Sequence, residues 1–293
     1  MNTVKEIAYA KVNLFLDIVK KREDGFHEIC TMMHPITLFD EVAVSIEEAK
    51  QTQICMRVDG GVHVPTDERN LAFRAAKIYL EYIGKNASVE IRLRKNIPVA
   101  AGLAGGSADA AATLRAMNRL FKKALTQKTL LALAATLGSD VPFCLSGISA
   151  ICEGRGEIMV PFEMHRRLYF VVAVGNEYVS TPKAYGALDA LYHDFDGTVP
   201  FGSEEALARL SEYLSGKSEH IPELYNIFEA AVLPICPQAQ QIRKRMKELS
   251  AVAALMSGSG PSVFGIFKCA SDASAAQAAL AAEGYRAFAA ASV

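Results

Sequence analysis

Apolar and polar residues alternate in the N-terminal segment of this 293-residue chain. The apolar residues occupy every second position, at Ala8, Ala10, Val12, Leu14, Leu16 and Ile18. Since a period of two places alternate side chains on opposite faces of a strand, the pattern predicts a β-strand with one buried face. Lys11 and Asn13 share the other face. Further strands are predicted over residues 41–46 and 88–94, with a helix over 69–82 between them.

A glycine-rich segment leads directly into a helical pattern. Gly102, Gly105 and Gly106 are followed by an apolar stripe with steps of four, three and four, formed by Ala110, Leu114, Met117 and Phe121. The helix is predicted to open near Ser107, with Asp109 and Arg115 off the stripe. Glycines let backbone N–H groups turn inward, and a helix N-terminus is electropositive, so the segment predicts a phosphate site. The alternative is a turn that only lets the helix pack tightly.

The next helix is predicted over residues 126–137 and stops at Gly138. Asp140 then stands where it can cap a new short helix, and Pro142 falls in the first turn of that helix, where a missing N–H does no harm. The pattern therefore places Asp140 at a helix N-terminus.

The second half of the chain follows the order βαββαβ, which is the ferredoxin-like split unit. Its predicted elements are strands at 168–174, 252–256, 262–268 and 285–290, and helices at 238–249 and 273–282. Residues 182–233 resemble a mostly helical insertion. We therefore expect an α+β fold with two lobes, an N-terminal mixed βα domain over residues 1–160 and a C-terminal domain over residues 161–293.

Composition narrows the functional classes. The chain has 31 basic and 32 acidic residues and a net charge of −1, so nothing favours nucleic acid or an anionic membrane surface as the partner. We expect a small-molecule substrate and a cytoplasmic protein, because no apolar run is long enough to span a membrane. The 6 cysteines form no C-x-x-C pair, which predicts reduced packing thiols and no structural zinc.

The glycine-rich segment resembles the signature of the GHMP kinases, written P-x-x-x-G-L-G-G-G-S-S-x-A-A. The matching residues are Pro98, Gly102, Leu103, Gly105, Gly106, Ser107, Ala110 and Ala111. Ala104 replaces a glycine and Ala108 replaces the second serine. The resemblance implies a two-lobed kinase that uses ATP and Mg²⁺.

Four further blocks narrow the resemblance to the 4-diphosphocytidyl-2-C-methyl-D-erythritol kinases. These blocks are A-K-V-N-L-F-L at residues 10–16 with K-R-E-D-G-F-H at 21–27, G-S-D-V-P-F at 138–143, and S-G-S-G-P-S at 257–262. The resemblance implies phosphorylation of the 2-hydroxyl of a cytidine-diphosphate-linked methylerythritol, a step of the non-mevalonate route to isoprenoids. Phe26 stands where the family usually has tyrosine. The alternatives are another GHMP kinase for a small alcohol of the homoserine or mevalonate type, or a non-catalytic nucleotide-binding regulator.

The resemblance also implies the site residues. Lys11 and Asp140 are the expected catalytic pair. The expected ATP-binding residues are Asn70, Pro98, Val99, Ala100, Ala101, Gly102, Leu103, Ala104, Gly105, Gly106, Ser107 and Ala108. The expected substrate-binding residues are Asn13, Phe26, His27, Asp140, Thr181 and Tyr185, with Phe26 and Tyr185 stacking on the cytosine. Direct metal ligands are not identified, and a homodimer is left open.

Each of these assignments has a structural alternative. Lys11 could be a solvated lysine on an exposed strand face. Asp140 could serve only as a helix cap. Phe26 and Tyr185 could be ordinary core aromatics, since aromatic residues are usually buried for packing.

Overall fold

The computed structural model describes residues 2–61, 63–192 and 203–293. The first half of the chain contains β1 (Asn2–Lys21), β2 (His27–Glu48), β3 (Gln53–Asp59), α1 (Leu71–Ile83), β4 (Ala87–Arg94), α2 (Gly105–Leu120), α3 (Gln127–Leu137), α4 (Val141–Ser146), β5 (Ala150–Glu153) and β6 (Ile158–Pro161). The second half contains β7 (Tyr169–Val174), α5 (Thr181–Leu191), α6 (Ser203–Leu214), β8 (Tyr225–Asn226), α7 (Phe228–Val232), a 3₁₀ turn (Leu233–Ile235), α8 (Pro237–Glu248), β9 (Ala253–Met256), β10 (Val263–Phe267), α9 (Ala270–Ala282) and β11 (Arg286–Ala291).

The chain forms two compact units, and segments of the two units alternate along the sequence. The first unit comprises the described residues of 1–10, 39–99 and 104–147, and the second comprises those of 11–38, 100–103 and 148–293. Because each unit consists of several separate segments, the two units do not test the predicted division into residues 1–160 and 161–293. That division stays a prediction.

The first unit is built on β2, β3 and β4. Strand β4 pairs antiparallel with β2 and parallel with β3, so that Ile91 lies opposite both Val44 and Met56. Helices α1 to α4 bury their apolar faces in the same core, in which the side chain of Tyr79 is fully buried. This packing fixes the N-terminal end of α2, where the phosphate site is predicted.

The second unit contains a four-stranded antiparallel sheet in the order β11-β7-β10-β9. Helices α8 and α9 pack on this sheet, which confirms the predicted split βαββαβ unit. The described part of the insertion is helical, in α5, α6 and α7, while residues 193–202 lie outside the described residues. The same unit holds the pairings of β1 with β8 and of β2 with β5.

Several elements differ from the sequence predictions. Strand β1 is longer than predicted, and its polar face is buried as well: Lys11, Asn13 and Asp17 are each less than 5% exposed. The prediction of one buried face was therefore wrong. Strands β3, β5, β6 and β8 were not predicted, and α2 begins at Gly105, two residues before the predicted start.

Two further observations concern the cysteines and the length and polarity of the helices. All six cysteines are free thiols, as expected. Across the described residues, the structure has no helix with the length and apolar character that a membrane span requires.

Candidate active site

The segment between β4 and α2 has an irregular backbone. Ala100, Gly102 and Ala104 have φ values of 52°, 75° and 56°, so every second residue adopts the left-handed conformation. Ala104 occupies the N-cap position of α2 in this conformation, although it has a side chain. A left-handed φ is unfavourable for any residue with a Cβ, which explains why the kinase signature has glycine there.

The middle of this segment packs against the glycine motif at residues 257–262, and both belong to the second unit. A Cβ placed on Gly102 would lie 2.1 Å from the carbonyl oxygen of Ser257. Ser257 Oγ donates a hydrogen bond to the Gly102 carbonyl at 3.1 Å, and Ser262 Oγ donates one to the Ala101 carbonyl. Both serines are fully buried. Sequence reasoning identified the motif but gave these hydroxyls no role.

Asn226 supports this motif from β8. Its side-chain amide donates hydrogen bonds to the carbonyls of Met256 at 2.7 Å and Gly258 at 2.8 Å. The side-chain oxygen Oδ1 of Asn226 accepts a hydrogen bond from the Phe228 backbone N–H at 3.0 Å, which anchors the start of α7. Nothing in the sequence pattern singled out Asn226, since an isolated asparagine carries no local signal.

Lys11 and Asn13 lie in a buried hydrogen-bonded chain of the second unit. Lys11 Nζ donates to Asn13 Oδ1 at 2.6 Å, and Asn13 Nδ2 donates to Thr31 Oγ1 at 2.8 Å. The Lys11 backbone N–H donates to the Leu103 carbonyl at 3.2 Å, which ties β1 to the glycine-rich segment. Because Lys11 is only 4% exposed, its interpretation as a solvated lysine is wrong. A buried ammonium needs acceptors, and Asn13 supplies one.

Asp140 directly precedes α4 as predicted, and Pro142 falls in the first turn. Its backbone is helical, with φ −83° and ψ −11°, and within the described residues its side chain makes no capping hydrogen bond. The alternative in which Asp140 serves only as a side-chain helix cap is therefore wrong. Arg115 holds α4 in the first unit by donating to the Cys144 carbonyl at 3.1 Å and pairing with Glu6 at 3.2 Å. Lys11 belongs to the second unit, so its pairing with Asp140 stays a prediction.

Asn70 caps α1 with its side chain. Its Oδ1 accepts from the Ala72 backbone N–H at 2.9 Å, and its Nδ2 donates to the Pro65 carbonyl at 2.8 Å. A Cβ placed on Gly106 would lie 3.9 Å from Leu71 Cδ1, so the start of α1 and the start of α2 are close neighbours within the first unit. A role for Asn70 in binding ATP stays a prediction.

The residues expected to bind cytosine all belong to the second unit. Phe26 is 55% exposed, and the Arg155 guanidinium carbon lies 5.1 Å from its ring centroid. The core alternative for Phe26 is therefore wrong. Tyr185 is half-buried, with ring centroids at 4.9 Å from His27 and 4.8 Å from Phe228.

Polar contacts orient two of these side chains. His27 Nε2 lies 2.7 Å from Asp189 Oδ1, and Lys21 Nζ lies 2.6 Å from the other oxygen of that carboxylate. Burial alone would raise the pKa of Asp189, but these two hydrogen bonds outweigh it and lower the pKa. Thr181 Oγ1 lies 3.1 Å from Ser259 Oγ. Asp189 was missed in the sequence, although it lies one helical turn after Tyr185 on α5.

The described residues contain no metal site that the protein could form alone. Among the described residues, no group of three or more His, Cys, Asp or Glu side chains could hold a metal ion. Mg²⁺ in nucleotide sites is held by one or two carboxylates together with phosphates and water, so the side chains present do not conflict with a metal that arrives with ATP.

Comparisons with known proteins identify the family of this chain. The family models for the GHMP kinases N terminal domain and the GHMP kinases C terminal match residues 70–148 and 203–286. A protein of Gloeobacter violaceus named 4-diphosphocytidyl-2-C-methyl-D-erythritol kinase is 40% identical over 285 residues, which cover 97% of this chain and 92% of that protein. A crystal structure of 4-(cytidine 5'-diphospho)-2C-methyl-D-erythritol kinase has a TM-score of 0.82 and 35% identity, with 98% of each chain covered.

A homoserine kinase structure from Cytophaga hutchinsonii has a TM-score of 0.72, covering 100% of this chain and 95% of that one. Its identity to this chain is only 20%, so it shows a shared fold and no more. The chain belongs to the 4-diphosphocytidyl-2-C-methyl-D-erythritol kinase family of GHMP kinases.

Proposed function

We propose that this protein is an ATP-dependent kinase that phosphorylates the 2-hydroxyl of 4-(cytidine 5'-diphospho)-2-C-methyl-D-erythritol. The observation that carries the proposal is the 40% identity to a kinase of that name over 97% of the chain. The small-alcohol alternatives have weaker support, since the homoserine kinase structure is only 20% identical. The buried, hydrogen-bonded Lys11 speaks against a non-catalytic regulator, which would not require an ammonium in that place.

ATP binds through the glycine-rich segment in this proposal. Backbone N–H groups of residues 102–107 hold the α- and β-phosphates, and the electropositive N-terminus of α2 adds to the attraction. Asn70 and the residues from Pro98 to Ala108 form the surrounding site. Mg²⁺, when bound, neutralises charge on the β- and γ-phosphates, and phosphate oxygens and water supply most of its ligands.

Lys11 and Asp140 carry the chemistry. Phosphoryl transfer passes through a loose transition state, so alignment and charge neutralisation matter more than a strong base. Asp140 accepts the proton of the 2-hydroxyl as the bond from that oxygen to the γ-phosphorus forms and the bond from the γ-phosphorus to the β–γ bridging oxygen breaks, with ADP as the leaving group. Lys11, held by Asn13 Oδ1 at 2.6 Å, stabilises the negative charge of the γ-phosphoryl group.

The cytosine is held by stacking and identified by hydrogen bonds. Phe26 is exposed and therefore available to a ligand, and Tyr185 presents a second ring in the same unit. Stacking on an aromatic ring contributes about 1–3 kcal/mol per base but does not distinguish bases. His27, fixed by Asp189, supplies the hydrogen bonds that do, and Thr181 lies beside the substrate.

We place the enzyme in the cytoplasm, with a small-molecule substrate and no nucleic acid partner. The six free cysteines support a reducing compartment, and the nearly balanced charge of 31 basic and 32 acidic residues supports a small-molecule partner. Whether the enzyme is a homodimer is tested by its mass in solution, measured by light scattering.

A coupled assay of ADP release tests the proposed activity. The cytidyl-linked alcohol should be consumed with ATP, whereas free methylerythritol, its monophosphate, homoserine and mevalonate should give background rates. Equal turnover with the free alcohol would refute the assigned substrate class. Turnover of homoserine or mevalonate alone would favour the small-alcohol kinases instead.

A further inference from the structure

A buried cluster of three charged side chains lies beneath the start of α2, in the first unit. Lys95 Nζ donates a hydrogen bond to Asp40 and another to Asp109 Oδ2 at 2.8 Å. The side chains of Lys95, Asp40 and Asp109 are 3%, 0% and 3% exposed. None of them belongs to the catalytic, ATP-binding or substrate-binding residues assigned above, so their burial needs another explanation.

The cluster holds the beginning of the glycine-rich segment, directly after β4. Asp40 Oδ1 accepts hydrogen bonds from the backbone N–H groups of Asn96 at 2.6 Å and Ile97 at 2.8 Å. Asn96 Nδ2 adds a hydrogen bond to the Phe39 carbonyl at 3.0 Å. One carboxylate on β2 thus fixes the two residues that precede Pro98.

The cluster also holds the end of the glycine-rich segment, where α2 begins. Asp109 lies on α2 four residues after Gly105, the first residue of the helix. A Cβ placed on Gly105 would lie 3.2 Å from Lys95 Nζ and 3.0 Å from Ile97 Cγ2, so the ammonium lies directly against the helix start. Lys95 therefore links the two ends of the glycine-rich segment. It contacts Asp40, which holds the beginning of the segment, and Asp109, which lies on the helix that follows the segment.

Electrostatic attraction keeps the Lys95 ammonium between the two acidic side chains. Burial would lower the pKa of Lys95, but Asp109 and Asp40 outweigh it and raise the pKa, so the ammonium stays charged. Burial raises the pKa of Asp109 above its usual range, although Lys95 opposes the rise. In the described part of the chain, Asp109 Oδ1 is buried and makes no hydrogen bond. The hydrogen bond from the Lys95 ammonium to Oδ2 is therefore the contact that holds the Asp109 side chain in the cluster.

We propose that Lys95, Asp40 and Asp109 are positioning residues for ATP, which hold the two ends of the glycine-rich segment so that its N–H groups converge on the phosphates. Local sequence could not indicate this, since Lys95 and Asp40 are 55 residues apart. The inference rests on the proposed kinase function. It requires that loss of the cluster weakens ATP binding far more than binding of the cytidyl-linked alcohol.

Asp109→Ala is the decisive variant. It cuts the link from Lys95 to α2 and leaves Lys95 paired with Asp40, so no buried charge loses its last partner and the protein should fold. The KM for ATP should rise about tenfold, as expected for loss of one charge-assisted hydrogen bond, while kcat and the KM for the alcohol change less than about threefold. Asp109→Asn keeps an oxygen to accept from Lys95, and its KM for ATP should stay within about threefold of wild type.

A matched control uses another ion pair of the first unit. Lys77 Nζ lies 2.6 Å from Glu68 Oε1 on the surface, and Lys77→Met should leave all kinetic constants unchanged, since exposed pairs contribute little. Titration of each variant with a non-hydrolysable ATP analogue measures the affinity directly. Lys95→Met removes the ammonium that both acidic side chains contact, so the folded variant should bind the analogue more weakly than Asp109→Ala does.

The outcomes separate the inference from the proposed function. If wild type is active and Asp109→Ala has a lower melting temperature but an unchanged KM for ATP, the cluster is only structural and the inference is wrong. An equal rise in both KM values would also overturn it. If wild type itself releases no ADP with the cytidyl-linked alcohol, the proposed function fails, while weakened analogue binding by Asp109→Ala would still support the positioning role.

Discussion

Replacement of Gly102 by alanine tests the geometry of the glycine-rich segment most directly. Gly102 has φ 75°, and a Cβ there would lie 2.1 Å from the Ser257 carbonyl oxygen, where ordinary contact begins at 3.4 Å. The clash is with backbone, so no side chain can rotate away to relieve it. Either the glycine-rich segment or the motif at residues 257–262 must move.

The expected loss of stability follows from the contacts that this movement breaks. A left-handed alanine costs about 1–2 kcal/mol, and loss of the hydrogen bond from Ser257 to the Gly102 carbonyl costs about 1 kcal/mol. Relief of the clash adds to this sum, so Gly102→Ala should lower the free energy of unfolding by about 3 kcal/mol or more. Urea denaturation followed by circular dichroism measures the change.

Gly106→Ala is the matched control in the same motif. Gly106 is the second residue of α2, and the nearest atom to an added Cβ is Leu71 Cδ1 at 3.9 Å. Alanine is favoured over glycine in a helix by about 0.5–1 kcal/mol, so this variant should be as stable as wild type or more stable. Equal stability of the Gly102→Ala and Gly106→Ala variants would refute the assigned packing of Gly102 on Ser257.

Three further predictions concern the catalytic pair, the base-binding ring and a buried histidine. Lys11→Ala and Asp140→Asn should each lower kcat about a hundredfold or more and leave ATP affinity within a few-fold; near-normal kcat in either would refute its role. Phe26→Ala should raise the KM for the cytidyl-linked alcohol about tenfold, whereas Phe26→Tyr should be nearly neutral; an unchanged KM in Phe26→Ala would exclude stacking. Burial lowers the pKa of His34 from 6.5 to about 4, so its contribution to stability is complete above pH 6.5 and is lost as pH falls towards 4. The free energy of unfolding should fall by about 3 kcal/mol over this pH range. His34→Gln should make the free energy of unfolding less dependent on pH there, and an unchanged pH dependence in this variant would show that His34 is not its cause.

Elements with local signals could be predicted from the sequence. Helix α3 runs from Gln127 to Leu137 with Thr126 as its cap, within one residue of its predicted range. The strands and helices of the split βαββαβ unit lie close to their predicted positions because each has its own period and turn residues. The glycine motifs were recognised for the same reason, since spacing along the chain carries them.

Features that depend on distant partners could not be predicted. The alternation in β1 indicated one solvated face, but Lys11 and Asn13 are buried because they hydrogen-bond to each other and to Thr31 on β2. Strand β3 was missed because its place in the sheet is set by pairing with β4. Side chains that satisfy one another across the fold leave no periodic trace in the sequence.

The three glycines of the motif lack a side chain for different reasons. At Gly102 a Cβ would strike the Ser257 carbonyl, and at Gly105 it would crowd Lys95 Nζ and Ile97, so packing within the protein explains both. Gly106 is different: it is exposed and has no positive φ, and beyond its chain neighbours and the backbone of its own helix no atom of the described residues lies closer than 3.9 Å to an added Cβ. A glycine costs stability in a helix, so neither packing nor backbone conformation explains it here. Close approach of a phosphate to the first turn of α2, as in the proposed ATP site, would account for it. Gly106→Ala should therefore raise the KM for ATP without loss of stability, and an unchanged KM would place the phosphates elsewhere.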